Sequence, residues 1–126
     1  MSRIRGRDTA PERQVRSLLH RQGFRFTLRR KDLPGKPDIV LPRWRTVVFV
    51  HGCFWHRHEA CKNAVMPKTR TAFWRQKLQG NVLRDESNAH RLEALGWHVI
   101  TVWECELSDE DRLRERLVRA VEANAG

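Results

Sequence analysis

The stretch Val47–Cys61, Val-Val-Phe-Val-His-Gly-Cys-Phe-Trp-His-Arg-His-Glu-Ala-Cys, concentrates side chains that can do chemistry. Its apolar, β-favouring opening predicts a buried strand. The second part crowds imidazoles, thiols and bare aromatic rings into a loop, and a strand that feeds reactive groups into a loop holds them on a rigid support. Cys53, His58 and Cys61, joined by Cys105 from later in the chain, form a ligand set of thiolates and imidazole. Such donors favour tetrahedral Zn²⁺ over Mg²⁺, and a closed four-ligand site is structural, here pinning the loop to the sheet. The bland alternative is buried reduced thiols beside a surface His; four ligands of the right type favour zinc. The odd count of three cysteines argues against a disulfide framework.

A second constellation combines Asp38 with His51. Asp38 directly follows Pro-Gly-Lys-Pro, and Pro37 forces an extended backbone into the next strand, so the carboxylate is expected at a strand edge. An Asp in that place is ordinarily a turn residue. His51, expected at the end of the adjoining strand, and the basic loops around both change the balance. A carboxylate beside a strand-end group can hold Mg²⁺, a hard cation that rarely needs a complete protein cage, and the ion would act on a phosphodiester.

These side chains must be positioned by the elements around them. Thr9-Ala10-Pro11-Glu12 predicts a helix start with Thr9 as N-cap and Glu12 closing a capping box; Val15, Leu18 and Leu19 give its apolar stripe before Gly23. Phe24–Leu28 alternates and predicts a strand. After the turn Leu33–Pro37, strands are expected over Asp38–Leu41 and Thr46–His51. A basic loop, Lys62–Arg70, leads to a helix from about Thr71 to Leu95, with a break expected at Gly80 and with Phe73, Leu78, Val82, Leu92 and Leu95 on its buried side. Trp97–Trp103 predicts a fourth strand and Asp109–Ala123 a last amphipathic helix carrying Leu113, Leu117 and Val121. The order α-β-β-β-α-β-α defines an α/β fold with a small mixed sheet flanked by helices on both faces. Trp44, Trp97 and Trp103, in or near strands, are expected in the core.

At 126 residues the chain is expected to form a single domain, 1–126, with a basic and flexible segment over residues 1–8. No apolar run reaches the roughly 18 residues of a membrane span, and the N-terminus lacks an apolar signal-peptide core, so a cytoplasmic location is expected. Twenty-five Lys and Arg against 15 Asp and Glu give a net charge of +10. That balance points to a polyanionic partner, nucleic acid first, and the predominance of Arg suits phosphate and guanine.

Pro-Gly-Lys-Pro-Asp, His-Gly-Cys-Phe-Trp-His, Thr-Arg-Thr-Ala-Phe-Trp, Asn-Val-Leu-Arg-Asp and Gly-Trp-His-Val-Ile-Thr-Val-Trp-Glu-Cys together resemble the very-short-patch repair (Vsr) endonucleases. The resemblance runs from Arg7 to Cys105. It implies a restriction-endonuclease-like fold of the PD-(D/E)XK type, with His where related enzymes carry Lys. It also implies Mg²⁺-dependent nicking of duplex DNA 5′ to the thymine of a T:G mismatch, the product of 5-methylcytosine deamination. The implied setting is a monomer at the nucleoid, coupled to a cytosine-5 DNA methylase and a repair polymerase.

Carried over by position, Asp38 matches the family's metal-binding aspartate, His56 its catalytic histidine and His51 a second histidine near the metal. Imidazole suits proton movement near neutral pH. Glu12 and Asp85 match acidic residues around the site, although a capping box alone would explain Glu12. Val50 stands where family members carry Thr, so it would offer Mg²⁺ its backbone carbonyl. Phe54, Trp55 and Trp74 match a wedge inserted between base pairs, which a mismatched step admits at lower cost. Lys36, Lys62, Lys68, Arg70 and Arg75 look like phosphate contacts. Two other readings stay open: a nicking nuclease of broader specificity, and a catalytically idle zinc-stabilised DNA-binding module.

Overall fold

The computed structural model describes residues 10–28, 30, 32–53 and 68–123. Helix α1 spans Ala10–Arg21, strand β1 Ile39–Leu41, strand β2 Thr46–His51, helix α2 Thr71–Ala94, strand β3 His98–Trp103 and helix α3 Glu110–Ala123. A 3-10 turn, Pro42–Trp44, joins the first two strands, and another, Glu104–Ser108, joins β3 to α3.

The sheet runs β1-β2-β3 and is mixed. β1 pairs antiparallel with β2, Ile39 opposite Val48, as a short connection permits. β2 pairs parallel with β3, Thr46 opposite His98 through His51 opposite Trp103. Parallel neighbours need a crossover, and α2 supplies it.

Alternation along the strands sends side chains to two faces. Ile39, Leu41, Val48, Ile100 and Val102 join Val15, Leu18 and Leu19 of α1 and Leu113, Leu117 and Val121 of α3 in one cluster. Val40, Val47 and Val99 turn the other way, toward Leu92 of α2, Leu33 and Trp97. The apolar stripes of α1 and α3 are therefore covered as their sequence requires.

Three expectations need correction. Phe24–Leu28 is not a strand: only Thr27 bridges to Val40, through a reciprocal pair of backbone bonds of 2.8 and 2.9 Å. β1 is three residues long and offers that passing chain a single point of attachment. The order among described residues is thus α-β-β-α-β-α. Gly80 does not break α2, whose 24 residues are continuous; an interior Gly costs about 1 kcal/mol, which the flanking helix formers outweigh. Phe73 and Leu95 are exposed and Val82 is half-buried, leaving Leu78 and Leu92 as the buried apolar residues of α2. Phe73 is instead covered in part by the Arg70 guanidinium, 4.3 Å from its ring centre. Thr9 of the expected capping box, and the basic segment 1–8, lie outside the described residues.

Trp97 is buried and Trp44 half-buried edge-on to Phe24, ring centres 5.0 Å apart. Arg45 closes the corner where α2 meets the sheet: its guanidinium lies 4.5 Å from the Trp97 ring and donates to the Leu95 carbonyl at 2.9 Å.

Candidate active site

The turn Leu33-Pro34-Gly35-Lys36 prepares the site. Its Lys36 N–H donates to the Leu33 carbonyl at 3.1 Å, and Gly35 has φ +75°, the pattern of a type II turn with Pro and Gly in its central places. Lys36 itself has φ +48°, a conformation that costs a non-glycine residue of order 1 kcal/mol. Its side chain is exposed. Pro37 and then Asp38 bring the chain into β1.

The Asp38 carboxylate accepts a hydrogen bond from the Val50 N–H at 2.7 Å. The β1–β2 register places Pro37, not Asp38, opposite Val50, so the side chain takes over a place in the ladder that a backbone carbonyl would hold. Burial pushes the Asp38 carboxyl up to about 7; the Val50 N–H opposes the rise, and the negative charge of Glu12 adds to it. Glu12 is buried on the first turn of α1. A capping box accounts for a Glu near a helix start, but not for a buried one whose charge is felt by Asp38. A carboxyl whose proton affinity is raised by burial and by a neighbouring carboxylate marks a ready place for a cation.

His51, the last residue of β2 and the neighbour of Val50 in sequence, is buried. It lies on the α2 face of the sheet, where its Nδ1 stands 4.0 Å from Oδ2 of Asp85. The imidazole is walled by Trp103, edge-to-face at 5.3 Å and 73°, and by Phe49 at 5.7 Å. Val50, between them, packs its side chain into the α1–α3 cluster and so meets Asp38 through its main chain. In a strand the N–H and C=O of one residue leave on the same side, so the Val50 carbonyl faces the edge that holds Asp38.

Further residues collect on α2 and the segment before it. Lys68, Arg70 and Arg75 are exposed, and half-buried Trp74 stacks edge-to-face on Phe73 at 5.2 Å. Cys53 is fully buried, and Cys105 is half-buried. Each lies two residues beyond the final β2–β3 pair, His51 opposite Trp103, so both leave the same end of the sheet. Among the described residues no group of three or more His, Cys, Asp or Glu could by itself hold a metal. His56, His58 and Cys61, together with Phe54, Trp55 and Lys62, lie outside those residues.

The profile of the family described as DNA mismatch endonuclease Vsr matches residues 1–63. A type II nicking enzyme, V.XorIIP of Xanthomonas oryzae pv. oryzae, is 52% identical over 117 residues, covering 93% of this chain and 85% of that protein. The DNA mismatch endonuclease Vsr of Escherichia coli K12 is 46% identical over 115 residues, covering 91% and 73%. The chain belongs to the Vsr family. It is accordingly a DNA endonuclease. The Vsr fold is shared more widely: the catalytic domain of the homing endonuclease I-Bth0305I superposes with a TM-score of 0.68 at 18% identity, covering 94% of this chain and all of that one. Among the described residues no helix of this Vsr member is long and apolar enough to cross a membrane.

Of the Vsr positions anticipated in the sequence, Asp38, Glu12, His51 and Asp85 converge at one end of the sheet. Two residues of that neighbourhood were not anticipated. Trp103 was expected as core and instead walls His51, and Asn88 of α2 lies under Gly35. Parallel pairing with His51 marks Trp103, but only once the register is known.

Proposed function

We propose that this chain is a Mg²⁺-dependent nicking endonuclease that cuts duplex DNA 5′ to the thymine of a T:G mismatch, leaving a 3′-hydroxyl and a 5′-phosphate. The observation that carries the reading is the half-buried Asp38 carboxyl, held by the Val50 N–H at 2.7 Å and raised to about 7 by burial and by Glu12. Oxygen donors of this kind suit Mg²⁺, which takes one or two carboxylates and completes its shell with water and substrate phosphate. Asp38, the Val50 carbonyl and Glu12 would hold the ion. The chemistry Mg²⁺ supplies when bound there is Lewis acidity toward the phosphodiester.

The chain's own residues do the rest. His51, enclosed by Trp103 and Phe49 and faced by Asp85, offers a proton-binding nitrogen in a fixed place. His56 would move the proton to or from the reacting oxygens. Trp74, with Phe54 and Trp55, would wedge open the mismatched step. Lys36, Lys62, Lys68, Arg70 and Arg75 would seat the phosphates. Cys53 and Cys105, which leave the same end of the sheet, would share Zn²⁺ with His58 and Cys61, and the ion would tie the loop to β3. Monomeric action on nucleoid DNA in the cytoplasm, downstream of a cytosine-5 methylase and upstream of a repair polymerase, completes the proposal.

The test is strand-specific nicking of a labelled duplex with one T:G pair, against a T:A control, with Mg²⁺ and after chelation. A single nick 5′ to the mismatched thymine, lost on chelation, is expected. Equal cutting of other mismatches would replace T:G specificity with a broader one. Binding without cutting at any divalent metal would overturn the metal-dependent reading.

A further inference from the structure

The end of β3 is fastened from outside by a pair of charged residues to which no function has been attached above. Glu106, in the turn after β3, accepts the Trp103 N–H on Oε1 at 2.8 Å. Arg116 of α3 grips the same carboxylate with both arms, Nε to Oε2 at 3.0 Å and Nη2 to Oε1 at 2.9 Å. Its Nη2 also donates to the Thr101 carbonyl at 2.8 Å. Two backbone groups of the last turns of β3, at 101 and 103, are therefore tied to one guanidinium–carboxylate fork. A bidentate fork of this kind fixes direction as well as distance, which a single surface ion pair does not.

What the fork fixes is the residue that walls His51. Trp103 stands opposite His51 in the parallel register, and their rings meet edge-to-face at 5.3 Å. Phe49 closes the other side of the imidazole at 5.7 Å, and Asp85 Oδ2 lies 4.0 Å from Nδ1. The ring orientation of His51 depends on Trp103 keeping its place, and Trp103 is the final residue of its strand, where a ladder ordinarily frays. We propose that Glu106 and Arg116 are positioning residues for the nicking reaction, acting through Trp103 on His51. The inference rests on the assignment of His51 made above.

The pair is separate from the DNA-facing residues: it sits on the α3 side of the β3 exit, and neither residue was placed in the site. Loss of the fork should let Trp103 shift, and a shift of the order of 1 Å in a catalytic group can cost up to about 100-fold in rate. A group acting at one remove should cost less, about 10-fold.

The experiment is a double-mutant cycle on the full chain, read as the single-turnover nicking rate at saturating enzyme on T:G duplex, with duplex affinity measured in parallel. Arg116→Met and, separately, Glu106→Gln are made in the wild-type and in the His51→Ala background, and each protein is checked by thermal melting. Glu106→Gln keeps the shape and an acceptor, so it guards against a variant that fails to fold. The expected result is a rate lowered about 10-fold with affinity unchanged in the wild-type background, no further loss in His51→Ala, and partial recovery with Arg116→Lys. An equal loss in both backgrounds, or a change confined to affinity, overturns the proposal while leaving His51 in place. A His51→Ala protein that nicks at the wild-type rate removes His51 from the reaction, and the positioning role falls with it.

Discussion

The two faces of the sheet are built on different terms. On one, α1 and α3 lay six fully or almost fully buried apolar side chains, Val15, Leu18, Leu19, Leu113, Leu117 and Val121, and the segment after α1 adds Phe24, against Ile39, Leu41, Val48, Ile100 and Val102. On the other, the 24 residues of α2 bury Leu78 and Leu92, and the apolar contact shrinks to Leu33, Val40, Val47, Leu92 and Trp97. The remainder of that second face is given to His51, Asp85, the Gly35–Lys36 turn and the basic approach through Lys68 and Arg70. Apolar burial is what a small domain has to oppose its conformational entropy. A face that spends its area on charge therefore leans on the other face for stability, and substitutions on the two should fail in different ways.

The sharpest form of that contrast is Asp38. Asp38→Ala should lower the nicking rate at least about 1,000-fold, the loss expected if Asp38 is the principal carboxylate of a metal site, without lowering thermal stability. Single-turnover nicking beside a melting curve measures both; residual activity within tenfold of wild type would break the division between the faces. On the opposite face Leu117→Ala should do the reverse. Leu117 is 1% exposed within the α1–α3 cluster, so the substitution should cost about 3 kcal/mol of stability. Activity per folded molecule should be unchanged. Leu83→Ala, at 58% exposed on α2, should stay within about 0.5 kcal/mol, and denaturant titration of the pair gives the comparison directly.

The next effect depends on pH. Asp38 has its ordinary value of 3.8 raised to about 7 in the folded protein, by burial first, against the Val50 N–H and with Glu12. Below about pH 4 both folded and unfolded chains hold the proton and nothing is lost. Between about 4 and 7 the unfolded chain ionises while the folded one keeps its proton, so stability falls as pH rises; above 7 the loss is complete and constant. Asp38→Asn, which still accepts from Val50 N–H but cannot ionise, should escape it. In chelator-treated protein the melting temperature of Asp38→Asn should overtake that of wild type through this window. The gap should correspond to about 3 kcal/mol, less than the full shift because Asp38 is incompletely enclosed. Adding Glu12→Gln to the wild type should narrow the gap, since one contribution to the rise is gone. Parallel melting curves from pH 4 to 8 would show that the carboxyl carries no such shift.

How much of this could be read beforehand follows the same division. The stripes Val15-Leu18-Leu19 and Leu113-Leu117-Val121 have helical spacing and lie where expected, because a face held by apolar burial writes itself into sequence as periodicity. The strands over Ile39–Leu41, Thr46–His51 and His98–Trp103 were equally plain. α2 misled in Phe73 and Leu95, apolar residues whose neighbours are a guanidinium and solvent rather than a core. Phe24–Leu28 misled because alternation states what a segment could pair with, not whether a partner long enough is present. In the site, Asp38 and His51 were legible from type and position. The coupling of Glu12 to Asp38 and the approach of Asp85 to His51 join residues far apart in the chain, and no local pattern encodes them.

The smallest effect tests whether the turn before Asp38 is shaped by α2. Gly35 has φ +75°, and a Cβ built there would meet Asn88 Cβ at 2.9 Å and its Cγ and Nδ2 at 3.0 Å. Gly35→Ala therefore carries a conformational cost and a steric one, together about 1–2 kcal/mol if the turn and α2 part by a few tenths of an ångström. The loss in nicking should exceed what the loss in folding explains, because the displaced turn carries Lys36 and leads straight into Asp38. Adding Asn88→Ala should return only part of it. The substitution removes Cγ and Nδ2 from the contact but leaves Cβ, and the positive φ of residue 35 is untouched. Melting temperature and nicking rate of the three variants decide the matter. Full recovery in the double variant would make Asn88 the whole obstacle. A Gly35→Ala protein that melts early but nicks normally would show that the turn supports the fold without setting the place of the carboxylate.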